Sequence, residues 1–414
     1  LMSDMNIIDQ YGRVTIYEEP GHPSPIYQVE GDIEPNPYGK LKALLDDDNL
    51  EEVMYNGGTQ CVKIAHREHD MCRTNIWVDD EEGLQVAKNI AAFTAVPLGN
   101  GPGMVPIFDG RLPDGSRVNG TIPPVSPDGP TLTIRKFQED PLTIINLIKF
   151  GSMSTKLAAT LWCYVEGLGS KPANFVIAGG TGSGKTTTLN CLGMFIPWNE
   201  RVLSVEDTAE LQIYHDHWLR METRAAAPDG TTEIDMNDCL KSSLRMRPDR
   251  VIVGEVRGPE CATLLMAMNT GHDGSFGSLH ANTAAECVNR MINPPMLVPT
   301  IMLSALDMII IQARLHHGGR TVRKITEIAE IAGMEGDKPR LNTIWKFDPQ
   351  SGEILPTGVP SKLREIICKA AGLSPADFDR QVDERERILS DLVERDISSI
   401  AQVTRVLQAY HTTQ

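Results

Sequence analysis

The spacing of apolar residues changes twice along this chain, and each change marks a different kind of structure. Over residues 1–37 apolar positions are sparse among turn residues (GHPSP, EPNPYG), which predicts a loosely structured arm with one strand at 14–17. From Tyr38 the run KLKALLDDDNLEEVMYNG predicts a helix, an acidic turn and a strand that stops at Asn56-Gly57. Short strands are expected at 62–65 and 74–78. Leu84, Val86, Ala87, Ile90 and Ala91 mark a helix over 81–93. Two Asp-Gly turns follow in FDGRLPDGSRVN, then a strand in TLTIRKF at 131–137. Residues 38–137 therefore read as a small α+β domain.

Residues 138–155, with Pro141 and Gly151, read as an interdomain linker. Beyond them apolar strands at 174–178, 201–205 and 251–253 alternate with helices at 156–167 and 260–268. That alternation predicts an α/β domain over 156–350, a parallel sheet covered on both faces with its ligand at the carboxyl ends of the strands. After 350 the pattern turns helical. Ser374-Pro375-Ala376-Asp377 has the form of an N-cap, and Phe378, Val382, Ile388, Leu389 and Leu392 recur at helical spacing. Ile400, Val403, Val406, Leu407 and Tyr410 mark a last helix. These stripes are expected to be packing faces of a helical region over 351–414.

Composition narrows the class. At 414 residues the chain exceeds one ordinary core, and 41% hydrophobic with 23% charged residues describes a globular protein. No apolar run approaches the ~20 residues of a membrane helix, and the first residues contain no signal-peptide core, so the cytoplasm is the expected location. The chain opens on Leu1, which predicts a truncated start or a non-standard initiator. A net charge of −16 argues against a surface devoted to nucleic acid. The eight cysteines form no C-x-x-C pair and are expected to be small buried apolar residues.

Candidate chemistry centres on NFVIAGGTGSGKTTTL. The strand at 174–178 runs into Gly179-Gly180-Thr181-Gly182-Ser183-Gly184-Lys185-Thr186, which fits G-x-x-x-x-G-K-[ST]. Glycines let successive N–H groups curl around a phosphate, and the following helix adds its positive dipole end. Lys185 is placed to reach the β- and γ-phosphates of ATP, Thr186 to hold Mg²⁺, and Thr187 to join the cradle. Glu255 ends the apolar strand before it and is the candidate for polarising an attacking water. Glu206, Asp207 and Glu210 end another strand, and Glu206 is expected to act on Mg²⁺ through water. His272 and His280 lie among small residues in TGHDGSFGSLHA; a pair of this kind is more often structural, and if it has a functional role here, sensing the phosphates fits it better than ligating a metal. Arg220 and Arg224, with a second group at 245, 247 and 250, are candidates to complete a neighbouring subunit's site. Arg117 and Arg135 are candidate nucleotide contacts from the first domain.

With these residues laid out, the chain resembles the secretion ATPase superfamily, the hexameric motors of type II and type IV secretion, type IV pili and the archaellum. The resemblance covers about residues 38–345. It rests on the phosphate loop at 179–186, the acidic box VEDTAEL at 205–211, the atypical Walker B segment RPDRVIVGEVRG at 247–258 and the histidine box at 270–281. The run at 111–137 looks like the type IV secretion and tight-adherence pilus branch. MINPPMLVP at 291–299 and the tail look like archaeal motor and pilus ATPases. The tetracysteine zinc motif of the pilus-extension branch is missing, the N-terminal helical region of archaellum motors is expected to be absent or cut short, and Ser278 stands where many members have Thr.

The resemblance implies a RecA-like P-loop ATPase domain after a smaller α+β domain, assembled as a homohexamer. It implies ATP and Mg²⁺ as cofactors, Lys185 and Thr186 on phosphate and metal, Glu255 as catalytic carboxylate, and Glu206 and Glu210 as acidic-box residues. His272 and His280 would be the histidine-box residues, Arg220 and Arg224 trans-acting arginines. The expected partner is a polytopic platform protein that holds the motor at the inner face of the cytoplasmic membrane, where it would power assembly or retraction of a pilus-like filament or a secretion system. Two alternatives use the same core, a nucleic-acid translocase or helicase and a nucleotide-gated scaffold without motor activity.

Overall fold

The computed structural model describes residues 5–31, 34–94, 96–137, 141–224, 232–317, 320–336 and 338–412. The chain divides into two compact units, Leu1–Glu139 and Asp140–Gln414.

The first unit is built on one sheet of nine strands: β1 (Asn6–Tyr11), β2 (Val14–Glu18), β3 (Ile26–Val29), β4 (Leu50–Asn56), β5 (Lys63–His66), β6 (Asp70–Thr74), β7 (Ile107–Arg111), β8 (Arg117–Thr121) and β9 (Thr131–Arg135). Their order is β1-β2-β3-β6-β5-β4-β9-β8-β7, antiparallel except where β3 meets β6. The helix Asp80–Phe93 starts where the Asp79 carboxylate accepts from the Glu82 amide and buries Val86, Ala87, Ile90 and Ala91. It approaches the sheet at Gly83, where a Cβ would stand 2.3 Å from the Tyr55 hydroxyl oxygen.

Within the expected arm, β2 matches the strand expected at 14–17, but β1 and β3 join it, so that residues 6–29 carry three strands of this sheet. Ile16 and Tyr27 are fully buried, and the hydroxyls of Tyr11 and Tyr27 both donate to Asp47, at 2.8 and 2.6 Å. The strand expected at 74–78 lies earlier, at β6, although Ile76 and Val78 are still buried.

The second unit carries β10 (Phe175–Gly179), β11 (Val202–Glu206), β12 (Trp218–Glu222), β13 (Arg250–Val253), β14 (Phe276–Leu279), β15 (Met308–His317), β16 (Arg320–Glu335), β17 (Lys338–Asp348) and β18 (Glu353–Pro356). The order is β12-β11-β13-β14-β10-β15-β16-β17-β18. Pairing is parallel from β12 to β15, then antiparallel to β18. The central strands are apolar on both faces, as a sheet covered twice requires. Apolar residues group into two cores, one holding Phe175, Ile177 and Phe276, the other Val176, Val251 and Leu279. Their alternation along β10 places one core on each side of the sheet.

Two expected boundaries dissolve. Residues 138–140 of the expected linker lie outside the described residues. Those after them form a helix, Ile144–Lys149, whose Ile144, Ile145 and Leu147 are buried in this unit's core. At the other end β17 and β18 pair across residue 350, and Phe378, Val382, Leu389, Val403 and Leu407 of the tail helices join the same core. The tail helix Pro375–Glu394 begins with the Ser374 capping box. No helix among the described residues is long and apolar enough to cross a membrane. The eight cysteines are free thiols, all buried except the half-buried Cys61.

Candidate functional site

The phosphate loop follows β10 at the carboxyl edge of the parallel strands. Gly182 and Gly184 have φ of +69° and +92°, left-handed values that side chains rarely adopt, and the helix Lys185–Gly193 starts immediately after them. The Ser183 hydroxyl closes the loop by donating to Gly180 O at 2.8 Å. Lys185 is buried, and its Nζ donates to the carbonyls of Gly179 and Gly180, both at 3.0 Å. Thr181 and Gly182 are exposed at the crest, while Thr186 and Thr187 are half-buried in the first helical turn.

From Lys185 a chain of polar contacts runs across the strand ends. Its Nζ lies 3.5 Å from His280 Nδ1. His280 Nε2 lies 2.9 Å from Glu255 Oε1, a close contact without hydrogen-bond alignment. Glu255 Oε2 accepts from Arg257 Nη2 at 2.8 Å, and Arg257 Nη1 reaches to 3.8 Å from Asp207. Burial alone would raise the pKa of Glu255. The Arg257 hydrogen bond and the charges of Arg257, His280 and Lys185 outweigh it and hold the carboxyl below its usual range. Glu255 is thus an ionised acceptor suited to orienting a water and only weakly basic. Its backbone is pinned on both sides, since Ser278 Oγ donates to Gly254 O at 2.6 Å and Val256 N to Ser278 O at 2.7 Å.

Glu206 is buried at the end of β11. Its Oε1 accepts from the amides of Glu210 and Leu211, each at 2.8 Å, so the carboxylate caps its own following turn. Its Oε2 is buried without a hydrogen-bond partner, and Arg220 Nε stands 3.9 Å away. Burial raises the Glu206 pKa, against the lowering by the two amides and Arg220. Gly254 has to be glycine because a Cβ there would lie 2.8 Å from Glu206 Cγ. Glu206 and Glu255 therefore end neighbouring strands and pack through one glycine. Glu206 Oε2 is an acceptor of the kind a Mg²⁺-bound water takes, at the carboxyl edge that also carries the phosphate loop, with β13 and β14 between β11 and β10.

The other expected residues of this unit have their own local partners. His272 precedes β14, whereas His280 follows it, so the strand carries them to opposite edges of the sheet. His272 Nδ1 faces Pro248 O at 3.0 Å and is part of a structural turn, not of the phosphate site. Arg220 donates to Leu211 O and lies 4.5 Å from the Trp218 ring centroid. Arg224 donates to Thr232 O at 3.0 Å. Arg250 is buried in a bed of acceptors, Glu200, Val165 O and Gly274 O. Arg117 and Arg135 are cross-strand partners in the first unit, with Arg135 Nε 3.4 Å from Glu52. Sequence reasoning missed Arg257, which stood in plain view two residues after Glu255.

A parallel sheet with a glycine-rich phosphate loop after β10 and carboxylates after β11 and β13, all at its carboxyl edge, defines a RecA-like P-loop domain. The chain belongs to the type II/IV secretion system protein family, whose model matches residues 102–332. An uncharacterised protein of Methanocaldococcus jannaschii is 32% identical across 90% of this chain and 75% of its own length. Conjugal transfer protein TrbB of Rhizobium radiobacter is 33% identical across 55% of this chain and 68% of its own. Among solved structures, the Legionella pneumophila ATPase DotB is 18% identical over 89% of this chain and 90% of that one, with a TM-score of 0.49.

Proposed function

We propose that this chain is an Mg²⁺-dependent ATPase that works as one subunit of a homohexameric ring at the inner face of the cytoplasmic membrane, docked on a polytopic membrane protein, and powers a pilus-like filament or secretion system. The observation that carries the reading is the contact chain Lys185–His280–Glu255–Arg257 at the edge of the phosphate loop. It joins the residue that would hold the γ-phosphate to the carboxylate that would align a water against it. In this reading the loop amides and Lys185 bind the polyphosphate, Thr186 and Glu206 hold Mg²⁺ directly and through water, and Glu255 orients the nucleophile. Glu210 fixes Glu206 through its amide. Arg220 and Arg224 neutralise transition-state charge in the next subunit's site.

Glu255→Gln keeps the shape and removes the charge. It is expected to bind ATP with near-normal affinity and to lose about 10²–10⁴ of turnover, read by phosphate release and by nucleotide titration on the same preparation. Near-normal turnover in this variant would remove Glu255 from the reaction. Stimulation of the wild-type rate by single-stranded DNA would instead favour a nucleic-acid translocase, and tight ATP binding with no multi-turnover hydrolysis a nucleotide-gated scaffold.

A further inference from the structure

Two side chains reach the phosphate loop from the strands on its other flank. β15 runs parallel to β10 with Gln312 opposite Gly179. The backbones are so close there that a Cβ on Gly179 would stand 2.2 Å from Gln312 O. Between Ile311 and Gln312 the pairing of β15 with β16 slips by one residue, from Glu327 to Ile325. Bulges of this kind re-aim a side chain beside a functional site. Here the fully buried Gln312 carboxamide accepts from Thr188 Oγ1 at 2.7 Å, one turn into the helix after the loop. Its nitrogen lies 2.9 Å from where a Cβ on Gly184 would be. Two residues further along β15, Arg314 pairs directly with Arg323 of β16. The Arg323 Nε donates to Gly182 O at 2.9 Å, at the exposed crest of the loop.

A phosphate loop binds its anion by converging amides, so its carbonyls must turn outward. Gly182, like Gly184, is a left-handed glycine that moves easily between wells, so its carbonyl direction is only loosely set by the backbone itself. Arg323 holds the outward carbonyl from outside, Gln312 fixes the first turn of the helix, and the register keeps Arg314 on the same face as both. We propose that Gln312 and Arg323 are positioning residues that preorganise the phosphate loop, and that Arg323 in addition brings positive charge to the polyphosphate of a bound nucleoside di- or triphosphate. This rests on the nucleotide-binding reading above. Preorganisation shows itself as affinity, because an ordered loop spends less of its binding energy on being ordered.

The test is a fluorescence titration of the full chain with N-methylanthraniloyl-ADP and the matching ATP, together with steady-state kinetics and the thermal midpoint without nucleotide. Arg323→Ala is expected to weaken both nucleotides about tenfold, the effect of one lost charge-assisted hydrogen bond. KM should rise by the same factor while kcat falls far less and the nucleotide-free midpoint holds. Arg323→Lys, which keeps a charged donor, should recover part of the affinity. Gln312→Ala should weaken binding in the same sense. Wild-type binding with an unaltered Kd in Arg323→Ala overturns this inference alone. So does an affinity loss matched by a fall in the nucleotide-free midpoint. A wild-type chain that binds neither nucleotide overturns the nucleotide-binding reading and this inference with it.

Discussion

The two edges of the parallel sheet in the second unit use the same residue types for opposite ends. At the amino edge Arg250 is 1% exposed, with its guanidinium spread over Glu200, Val165 O and Gly274 O. Gly274, at φ +77°, has to be glycine because a Cβ would lie 1.9 Å from Arg250 Nη1. Asn174 Oδ1 accepts from the amides of Gly274 and Ser275, which closes the turn that holds His272. The charge of Arg250 is buried there, and each of its guanidinium nitrogens is matched. At the carboxyl edge Arg257 has a side chain 64% exposed, Glu255 and His280 are half open, and Glu206 keeps a buried oxygen without a hydrogen bond. A charged residue whose groups are all matched is part of the scaffold. A row of partly matched ones beside a phosphate loop is where a ligand has something left to gain.

The largest effect expected from breaking this contrast is on the scaffold side. Arg250→Ala leaves Glu200 and two carbonyls without their donor. It should cost about 3–5 kcal/mol in urea unfolding, as loss of one partner from a buried pair does. The fraction that remains folded should still bind nucleotide with unchanged affinity, since no atom of Arg250 reaches the loop. A loss of affinity in that folded fraction would mean the two edges are coupled.

The contrast also explains what could be read in advance. The phosphate loop was legible because its chemistry is contiguous, eight residues between a strand and a helix. The carboxylates at 206 and 255 were legible because each terminates an apolar run. The two histidines are not separable in sequence, because the residues between them conceal a strand that carries His280 to the edge with Lys185 and leaves His272 at the other. β2, with its buried Ile16, is legible as a strand, but β1 and β3 are not, because turn residues dominate GHPSP and EPNPYG and the fully buried Tyr27 is a single position there. Gln312 was missed although it closes the apolar run Met308–Ile311. A lone carboxamide at that point marks a buried polar contact only when the partner, Thr188, is known.

Next in size is the pair of histidines, which tests the contrast most directly. His280→Ala removes the group between Lys185 and Glu255 and should lower turnover about ten- to hundredfold, the worth of a hydrogen bond to a charged group at 1.36 kcal/mol per decade. His272→Ala removes a contact to Pro248 O, so its turnover per folded molecule should match wild type. Parallel phosphate-release assays decide it. Equal losses in the two variants would put His272 back in the site.

The smallest expected effect concerns Glu206, where function and stability should move in opposite directions. Burial raises its folded pKa, so the native state holds the proton more tightly than the unfolded chain does. The stability this contributes is complete below the unfolded value of about 4.3 and is lost as pH rises through the folded value. Above the folded value the ionised carboxylate is therefore a liability for the fold. Glu206→Gln cannot ionise, and its carboxamide oxygen can still accept from the Glu210 and Leu211 amides. Its stability advantage over wild type in urea unfolding should grow as pH rises from the unfolded value of about 4.3 through the folded value, and level off above it. An advantage that stays flat with pH would mean that Glu206 titrates normally. Turnover should fall in the same variant, because an N–H group would replace the oxygen that has no hydrogen bond. A carboxylate kept buried against the interest of the fold is what a site pressed into binding a metal-bound water would retain.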